Sequence, residues 1–269
     1  MIIAAYLVIT VIALYMLFVL LSNWRFKNQV KRLFSLGNKS DAKVFNFSQL
    51  SGLPSPVEKY FRLVLKEGQP YPGTIRLKHG GQFKTALDKP WMPIRGEQYF
   101  TTVPAGFIWK GDTSLFSARD MFIGVKGRLE VFLLDALRVV NGRGEKFDQG
   151  ELLRWLSESV WFPTNLLPDE NKRWIAIDQT SARLKVEVDG LVLNYLVCFN
   201  GKGEIASLAT KRYMAQTLET WIINLSGYRE INNIIIPTLA EAGWKLKGIQ
   251  YPYARFEVKQ IEYNKPFRF

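Results

Sequence analysis

Two adjacent charged residues, Arg119 and Asp120, are the first that could carry chemistry. They precede the apolar run Met121-Phe122-Ile123. Neighbouring residues on a strand face opposite sides of the sheet, so at most one of the two points into the interior. An inward Asp120 would be costly unless it were paired. The alternative is an ordinary carboxylate at a sheet edge or in a turn.

A second charged pair, Arg154 and Glu158, lies four residues apart in a segment with helical spacing. On a helix surface such a pair stabilises by only a few tenths of a kcal/mol. If Glu158 instead faces a cavity walled by Trp155, Trp161 and Phe162, desolvation raises its pKa. The sequence then favours Glu158 and Asp120 as an acid–base pair, and no other residue is a catalytic candidate.

A third cationic site is Arg212, in the strand-ending sequence Lys211-Arg212-Tyr213. Its planar guanidinium suits a phosphate or carboxylate headgroup. The alternative interpretation is an arginine at the end of a strand that is simply solvated. Tryptophans could supply the walls of an apolar cavity. The predicted ligand-binding residues are Trp109, Arg154, Trp155, Trp161 and Arg212.

The signatures of the common metal and cofactor sites are missing. The chain has one histidine, His79, and one cysteine, Cys198, so no HExxH motif and no intramolecular disulfide can form. It also lacks a Walker loop, a GxGxxG fingerprint and a GxSxG elbow. We expect no metal and no cofactor. The +12 charge forms no basic stripe within the domain, so no nucleic-acid partner is expected.

The N-terminal segment predicts a membrane anchor. Residues 1–24 contain no charge, and a helix of that length is roughly 36 Å long, enough to cross an apolar layer of about 30 Å. A cleaved signal peptide is the alternative, but no basic residue precedes the apolar run and Leu20 to Trp24 is a poor cleavage site.

A basic segment follows the anchor. Between Arg25 and Lys43 there are six bases and one acid, Asp41. This composition predicts contact with anionic headgroups, and the positive-inside rule places the following domain in the cytoplasm, at the inner membrane. The predicted membrane collar comprises Trp24, Arg25, Lys27, Lys31 and Arg32.

The domain organisation follows from composition and periodicity. We predict a transmembrane helix over 1–24, a juxtamembrane segment and linker over 25–54, and a single β-rich domain over 55–269. Pro56 to Lys66 predicts a helix capped by Ser55. Asp148 to Val160 predicts another, capped by Asp148 with Glu151 completing a capping box.

From Thr74 onward the apolar period is two, which predicts strands. Asp189-Gly190 indicates a tight hairpin. Ten to twelve strands are expected. The predicted fold class is α+β and β-rich: a large, curved, mostly antiparallel sheet, like half a barrel, with a few covering helices.

Several segments together resemble a bacterial family of membrane-anchored proteins known only as a domain of unknown function. They are Leu53 to Phe61, Pro104 to Trp109, Arg119-Asp120, Gly124, Gly127, Glu151 to Arg154, Glu158, Trp161 to Thr164, Trp174 and Tyr228 to Pro237. The family brings no activity or site residue. Pro104 to Trp109 and Gly227 to Pro237 also resemble half-barrel lipoprotein-carrier domains, which bind acyl chains outside the cytoplasm, in conflict with the predicted topology.

Three functions are compatible with the sequence. The first is a membrane-tethered module that binds a lipid or another apolar ligand. The second is a hydrolase using Glu158 and Asp120. The third is an interaction protein whose sheet is solidly packed. The concave face of the sheet distinguishes the first function from the third: an open cavity there favours ligand binding, and a face filled by side chains favours an interaction protein.

Overall fold

One antiparallel sheet forms most of the protein. In the computed structural model, which describes residues 1–37, 43–188 and 190–269, this sheet has thirteen strands. The strands are β1 (Thr74–Phe83), β2 (Met92–Thr101), β3 (Gly106–Asp112), β4 (Phe116–Ile123), β5 (Lys126–Leu133), β6 (Leu137–Gly142), β7 (Lys172–Ala176), β8 (Ser181–Val188), β9 (Leu191–Phe199), β10 (Ile205–Met214), β11 (Thr217–Ile231), β12 (Ile234–Leu246) and β13 (Ile249–Tyr263).

Three α-helices and three short 3-10 turns accompany the sheet. The helices are α1 (Ile2–Leu36), α2 (Ser55–Val64) and α3 (Glu145–Glu158). The 3-10 turns are Phe47–Leu50, Ser159–Trp161 and Pro163–Leu166.

The strand order brings the two ends of the domain together at the centre of the sheet. The order is β6-β5-β4-β3-β2-β1-β13-β12-β11-β10-β9-β8-β7. Hairpins join sequential neighbours, whereas β6 and β7 lie at opposite edges. The chain between these edges must therefore cross a face of the sheet, and α3 lies on that crossing. It contacts β5 and β4 on one arm and β10 on the other.

Alternation along the strands separates a concave from a convex face. On β1, Ile75 and Leu77 lie in the main core, while Arg76 on the other face pairs with Glu262. The main core fills part of the concave side, where α2, α3 and the turns after α3 bury apolar side chains. The predicted curved, β-rich fold class is confirmed; the strand count is one above the predicted range. β6 and β7, the two edge strands, lack clear apolar alternation.

The convex face carries the second half of α1. Phe26, Val30, Leu33 and Phe34 are buried there against Tyr99, Ile108 and Met121 of β2 to β4. The approach is close: a Cβ atom at Gly106 would lie 2.8 Å from Leu33 Cδ1. Glycine at this position lets helix and sheet meet.

The first half of α1 has no such cover. The helix is long and apolar enough to cross a membrane by length and composition, and the apolar window that meets this test is unburied. A signal sequence would meet the same test. The helix continues without interruption into the basic segment predicted to follow the anchor.

The helix starts differ from the sequence predictions. Pro54, not Ser55, caps α2. Gly144, not Asp148, precedes α3, so Asp148 lies inside the helix and accepts hydrogen bonds from the Gly127 amide and the Lys126 ammonium. The predicted capping box was therefore wrong, because the carboxylates of Asp148 and Glu151 bind groups outside α3 and not the amides at its N-terminus.

The predicted linker is only partly described. Asn38 to Ala42, including Lys39 and Asp41, lie outside the described residues. Beyond them, Phe45 and Leu50 are buried in the main core, so packing precedes residue 55. The domain boundaries stay predictions. The register pairs Val188 with Leu191, as the predicted Asp-Gly turn requires, although Asp189 itself is outside the described residues.

Docking of α1 on the convex face predicts a stability effect at Phe26. Phe26→Ala should lower the free energy of unfolding by about 3 kcal/mol, because it leaves a cavity between α1 and β2. Denaturant titration of the detergent-solubilised full chain measures it. Lys27→Ala, at the exposed neighbour, is the control; equal stability of both variants would show that α1 does not dock.

Candidate functional site

A cavity of about 1030 Å³ lies between α3 and the concave face of the sheet. Its volume is at the upper end of the range for small-molecule sites, about 300–1,000 Å³. Apolar side chains from both arms of the sheet form most of the floor, among them Ala118, Leu129, Val131, Trp221, Ile223, Ala240, Ala242, Tyr253 and Phe256. The alanines leave space that larger side chains would fill.

Arg154 is the centre of the polar part of this cavity. Its Nε donates to Glu158 Oε1 at 2.9 Å, and its Nη1 donates to Asp120 Oδ2. The guanidinium also lies 4.6 Å above the ring of Trp109. Gln98 on the sheet floor donates to the second oxygen of Glu158 at 2.6 Å. One cation on α3 therefore binds carboxylates of both the helix and β4.

A second pair lies one turn earlier on α3. Glu151 is buried and accepts from Arg212 Nη2 of β10 at 3.3 Å. Arg212 in turn lies 4.5 Å from the centre of the Trp221 ring, and the Trp221 indole donates to the Tyr253 hydroxyl at 2.9 Å. These contacts tie α3 to the opposite arm of the sheet.

The two pairs leave an excess of carboxylates. Asp120, Glu151 and Glu158 face two guanidiniums, those of Arg154 and Arg212. Buried polar atoms normally have hydrogen-bond partners. Within the described part of the chain, Asp120 Oδ1, Glu151 Oε2 and Arg154 Nη2 have none. All three atoms belong to side chains that line the cavity, and each is buried without a partner.

Burial determines the protonation of the acids. Desolvation raises the pKa of Glu151, the Asp120 carboxylate raises it further, and Arg212 opposes both effects. Desolvation also raises the pKa of Glu158, against the opposing effect of Arg154. A proton held on Glu151 would balance the cluster, with two carboxylates against two guanidiniums.

His79 lies beneath the cavity on β1. Burial lowers its pKa to about 4. The Trp109 indole N–H donates to His79 Nε2 at 2.7 Å, which requires a neutral ring with its proton on Nδ1. The Phe256 ring lies 4.2 Å away, centre to centre. The histidine therefore orients Trp109 and has no free nitrogen facing the cavity.

The structure brings together most of the residues predicted from sequence. Asp120, Trp109, Arg154, Glu158, Trp161 and Arg212 all line the cavity. The surface-pair interpretation of Arg154 and Glu158 is wrong, because both are buried, and so is the edge interpretation of Asp120. Arg119 faces the convex side, as adjacent strand positions require, and donates to Ser22 Oγ of α1 at 2.7 Å.

Two roles predicted from the sequence do not agree with the structure. Trp155 does not line the cavity; it is buried against the sheet and its indole donates to the Thr101 carbonyl at 3.0 Å. Arg154 and Arg212 are not free cations awaiting an anionic headgroup, since carboxylates already bind both. The collar residues Trp24, Arg25, Lys27, Lys31 and Arg32 are exposed on α1, and none lines the cavity.

Sequence reasoning missed Glu151 and Trp221, which line the cavity, and Gln98, which donates to Glu158 from β2. Glu151 had a usable signal, since positions 151, 154 and 158 share one helical face. Trp221 and Gln98 had none, because their places depend on distant strand pairing. Among residues 1–37, 43–188 and 190–269, no group of three His, Cys, Asp or Glu side chains is arranged to hold a metal ion.

Comparison with known proteins gives a family. Residues 43–256 match the family of unknown function DUF6544. The chain belongs to this family. The match takes in α2, α3 and nearly all of the sheet, and it begins after α1. The expected membership of a family without assigned function is confirmed. No curated protein matches the chain.

Three solved structures are similar to this DUF6544 protein. A LolA superfamily protein from Nitrosomonas europaea matches over 78% of this chain and 93% of its own, with 12% identity and a TM-score of 0.46. An outer membrane lipoprotein-sorting protein domain from Vibrio parahaemolyticus matches over 73% and 87%, with 9% identity and a TM-score of 0.37. A DUF1329 family protein from Desulfovibrio piger matches over 73% and 88%, with 9% identity and a TM-score of 0.37. The expected fold-level similarity to lipoprotein-carrier domains is found.

The raised pKa of Glu151 predicts a pH-dependent stability. Between the unfolded pKa, about 4.3, and the raised folded value, the folded chain binds more protons than the unfolded chain, so stability falls as pH rises. Glu151→Gln, which stays neutral, should lose less stability. With the pKa of Glu151 raised to about 8, we expect the variant to gain about 4 kcal/mol in free energy of unfolding relative to the wild type between pH 5 and pH 9, at about 1.36 kcal/mol per pH unit up to pH 8.

Denaturant titration across that pH range measures the difference. Glu145→Gln removes an exposed carboxylate at the start of the same helix and is the matched control. Parallel pH profiles for wild type and Glu151→Gln would show that Glu151 is ionised in the folded protein.

Proposed function

We propose that this protein is a membrane-tethered binding protein that holds one apolar, lipid-like ligand in the cavity beneath α3. The observation that carries the proposal is the open apolar space on the concave face, large enough for a drug-sized or larger molecule. A solidly packed sheet, as an interaction protein would have, leaves no such space. The exposed apolar half of α1 supports the tether.

The polar cluster restricts the head of that ligand. Carboxylates already bind the guanidiniums of Arg154 and Arg212, so neither of these two cations is left unpaired for an anionic headgroup. The free atoms Glu151 Oε2, Asp120 Oδ1 and Arg154 Nη2 suit a head that both donates and accepts hydrogen bonds. A hydroxylated, amide-containing or zwitterionic head meets these requirements. The ligand's chain would lie along the alanines and aromatic rings of the floor.

An acid–base hydrolase is the second candidate. It requires Glu158 and Asp120 in one pocket, and both line the cavity. Both also bind Arg154, whereas Glu151, with its raised pKa and an oxygen that has no hydrogen-bond partner, is the better proton donor. The paired arrangement suits ligand binding better, because a guanidinium binds each of the three acids, Asp120, Glu151 and Glu158.

Filling the cavity should abolish ligand retention. Ala242→Phe places a ring in the floor, and we expect the lipid that co-purifies with the full chain, measured by extraction and mass spectrometry, to fall several-fold. Leu239→Phe is the matched control, since Leu239 lies on the same strand, is exposed and does not line the cavity.

Each outcome of that measurement separates the functions. Intact lipid in the wild type and not in Ala242→Phe supports binding. Hydrolysis products in its place, lost in Glu151→Gln, would favour the hydrolase. Equal lipid content in all variants, or none in the wild type, would refute the proposed ligand.

The cytoplasmic position of the domain is part of the proposal. Four exposed bases, Arg25, Lys27, Lys31 and Arg32, directly follow the apolar segment. We expect a green fluorescent protein fused after Phe269 to fluoresce and alkaline phosphatase fused there to be inactive. The reverse pattern would place the domain outside the cytoplasm, and release of the wild type by alkaline carbonate would exclude an integral anchor.

A further inference from the structure

Four leucines are exposed together at one end of the half-barrel. Leu115 is 62% exposed, Leu133 44%, Leu134 51% and Leu137 63%. Leu115 lies in the β3–β4 turn and Leu134 in the β5–β6 turn, while Leu133 and Leu137 are the strand residues that flank the second turn; a hydrogen bond of 2.9 Å from the Leu134 amide to the Leu115 carbonyl joins the two turns. We call this group the leucine tip. A cluster of this kind, unlike a single exposed leucine, indicates an interaction site.

The geometry of the β5–β6 turn does not account for these leucines. Leu134 and Asp135 have φ angles of 50° and 59°, in the left-handed region. Hairpin positions with this geometry favour asparagine or glycine, and a bulky apolar residue there is disfavoured. Formation of the turn therefore does not explain a leucine at position 134.

The course of α1 shows what lies beside the tip. Followed from its C-terminal end, the helix contacts Gly106 through Leu33, then Met121 through Gln29, then Arg119 through Ser22. On the paired strands β3 and β4 these contacts advance from the end at Gly106 toward the opposite end, where the β3–β4 turn lies. The helix therefore runs toward the leucine tip.

The uncovered half of α1 continues in the same direction. Leu115 is four strand residues beyond Arg119, roughly 13 Å at about 3.3 Å per residue. About nine helical residues N-terminal to Ser22 span the same distance at 1.5 Å each. Those residues belong to the apolar segment that nothing covers. The tip and the exposed helix thus project from the same end of the domain.

The cavity reaches this end as well. Its lining includes Phe116, which follows Leu115, and Phe83 and Thr85 at the end of β1 that lies on the same side of the sheet as the β3–β4 turn. Gln216, in the turn between β10 and β11, lines it from the other arm. The space under α3 thus extends to the end of the sheet that carries the tip.

We propose that the leucine tip inserts into the same bilayer that holds α1, and that the cavity exchanges its ligand directly with that bilayer. This inference rests on the proposed tether. Burying four leucines in lipid is favourable by the apolar area removed from water. A bilayer is the fitting partner because the apolar half of α1, at the same end, already requires one.

Fluorescence from a single labelled position tests the proposal. In the full-length protein with Cys198→Ser, which removes the only cysteine, Leu134→Cys is labelled with an environment-sensitive nitrobenzoxadiazole dye. The protein is reconstituted into vesicles of phosphatidylcholine and phosphatidylglycerol. We expect a blue-shifted emission and several-fold stronger quenching by lipids that carry a doxyl group in the acyl chain than for the control.

The matched control is Val125→Cys. Val125 is 41% exposed, has a φ angle of 58°, and occupies the β4–β5 turn at the opposite end of the sheet. Like Leu134, it is an exposed aliphatic residue with a positive φ angle, and it differs in location. Equal quenching at the two positions would overturn the proposal.

Failure of the tip and failure of the ligand proposal are distinguishable. If Leu134→Cys is quenched while Ala242→Phe leaves the lipid content unchanged, the tip contacts the bilayer and the cavity has another occupant. If the dye stays in water while lipid still co-purifies, the ligand proposal stands and the docking proposal is refuted.

Discussion

The pairing of β1 with β13 is the constraint from which the site follows. It joins the first and last strands at the centre of the sheet and leaves β6 and β7, the middle of the sequence, at opposite edges. The connection between them has to span the width of the sheet. Because α1 covers part of the convex face, the connection occupies the concave one, and α3 is placed across the arms.

Crossing the concave face buries α3 on nearly all sides, including positions that carry charge. Buried charges are tolerated when they are paired. The charged face of α3 meets this condition by binding both arms: Arg154 reaches Asp120 on β4, and Glu151 reaches Arg212 on β10. These pairs hold the helix above the floor, and the space that the alanines of the floor leave open becomes the cavity. The ion pairs therefore maintain the cavity as well as line it.

The sequence predicted the periodic features of this arrangement well. Alternation from Thr74 onward indicated a large curved sheet, and the apolar N-terminal segment indicated a long helix. Asp120, Arg154 and Glu158 were found because charges in apolar runs are conspicuous. The misassignments have one cause: Asp148 and Glu151 have the local spacing of a helix cap, but tertiary contacts with Gly127 and Arg212 determine their roles. Trp221 and Gln98 could not be found, because strand order is not encoded in local periodicity.

The unbroken course of α1 connects its exposed apolar half to the domain that contains the cavity. From Ile2 to Leu36 the helix contains neither glycine nor proline, the residues at which helices most often bend. Its second half is buried on the sheet through Phe26 and Leu33, and Arg119 binds it at Ser22. A helix fixed in this way has no hinge between anchor and domain, so the tilt of the anchor sets the orientation of the half-barrel. The leucine tip is then held at a constant height relative to the apolar segment of α1. A flexible linker would let the cavity face in any direction, whereas this rigid connection would, under the proposed insertion, keep the end of the cavity that carries the tip toward the bilayer.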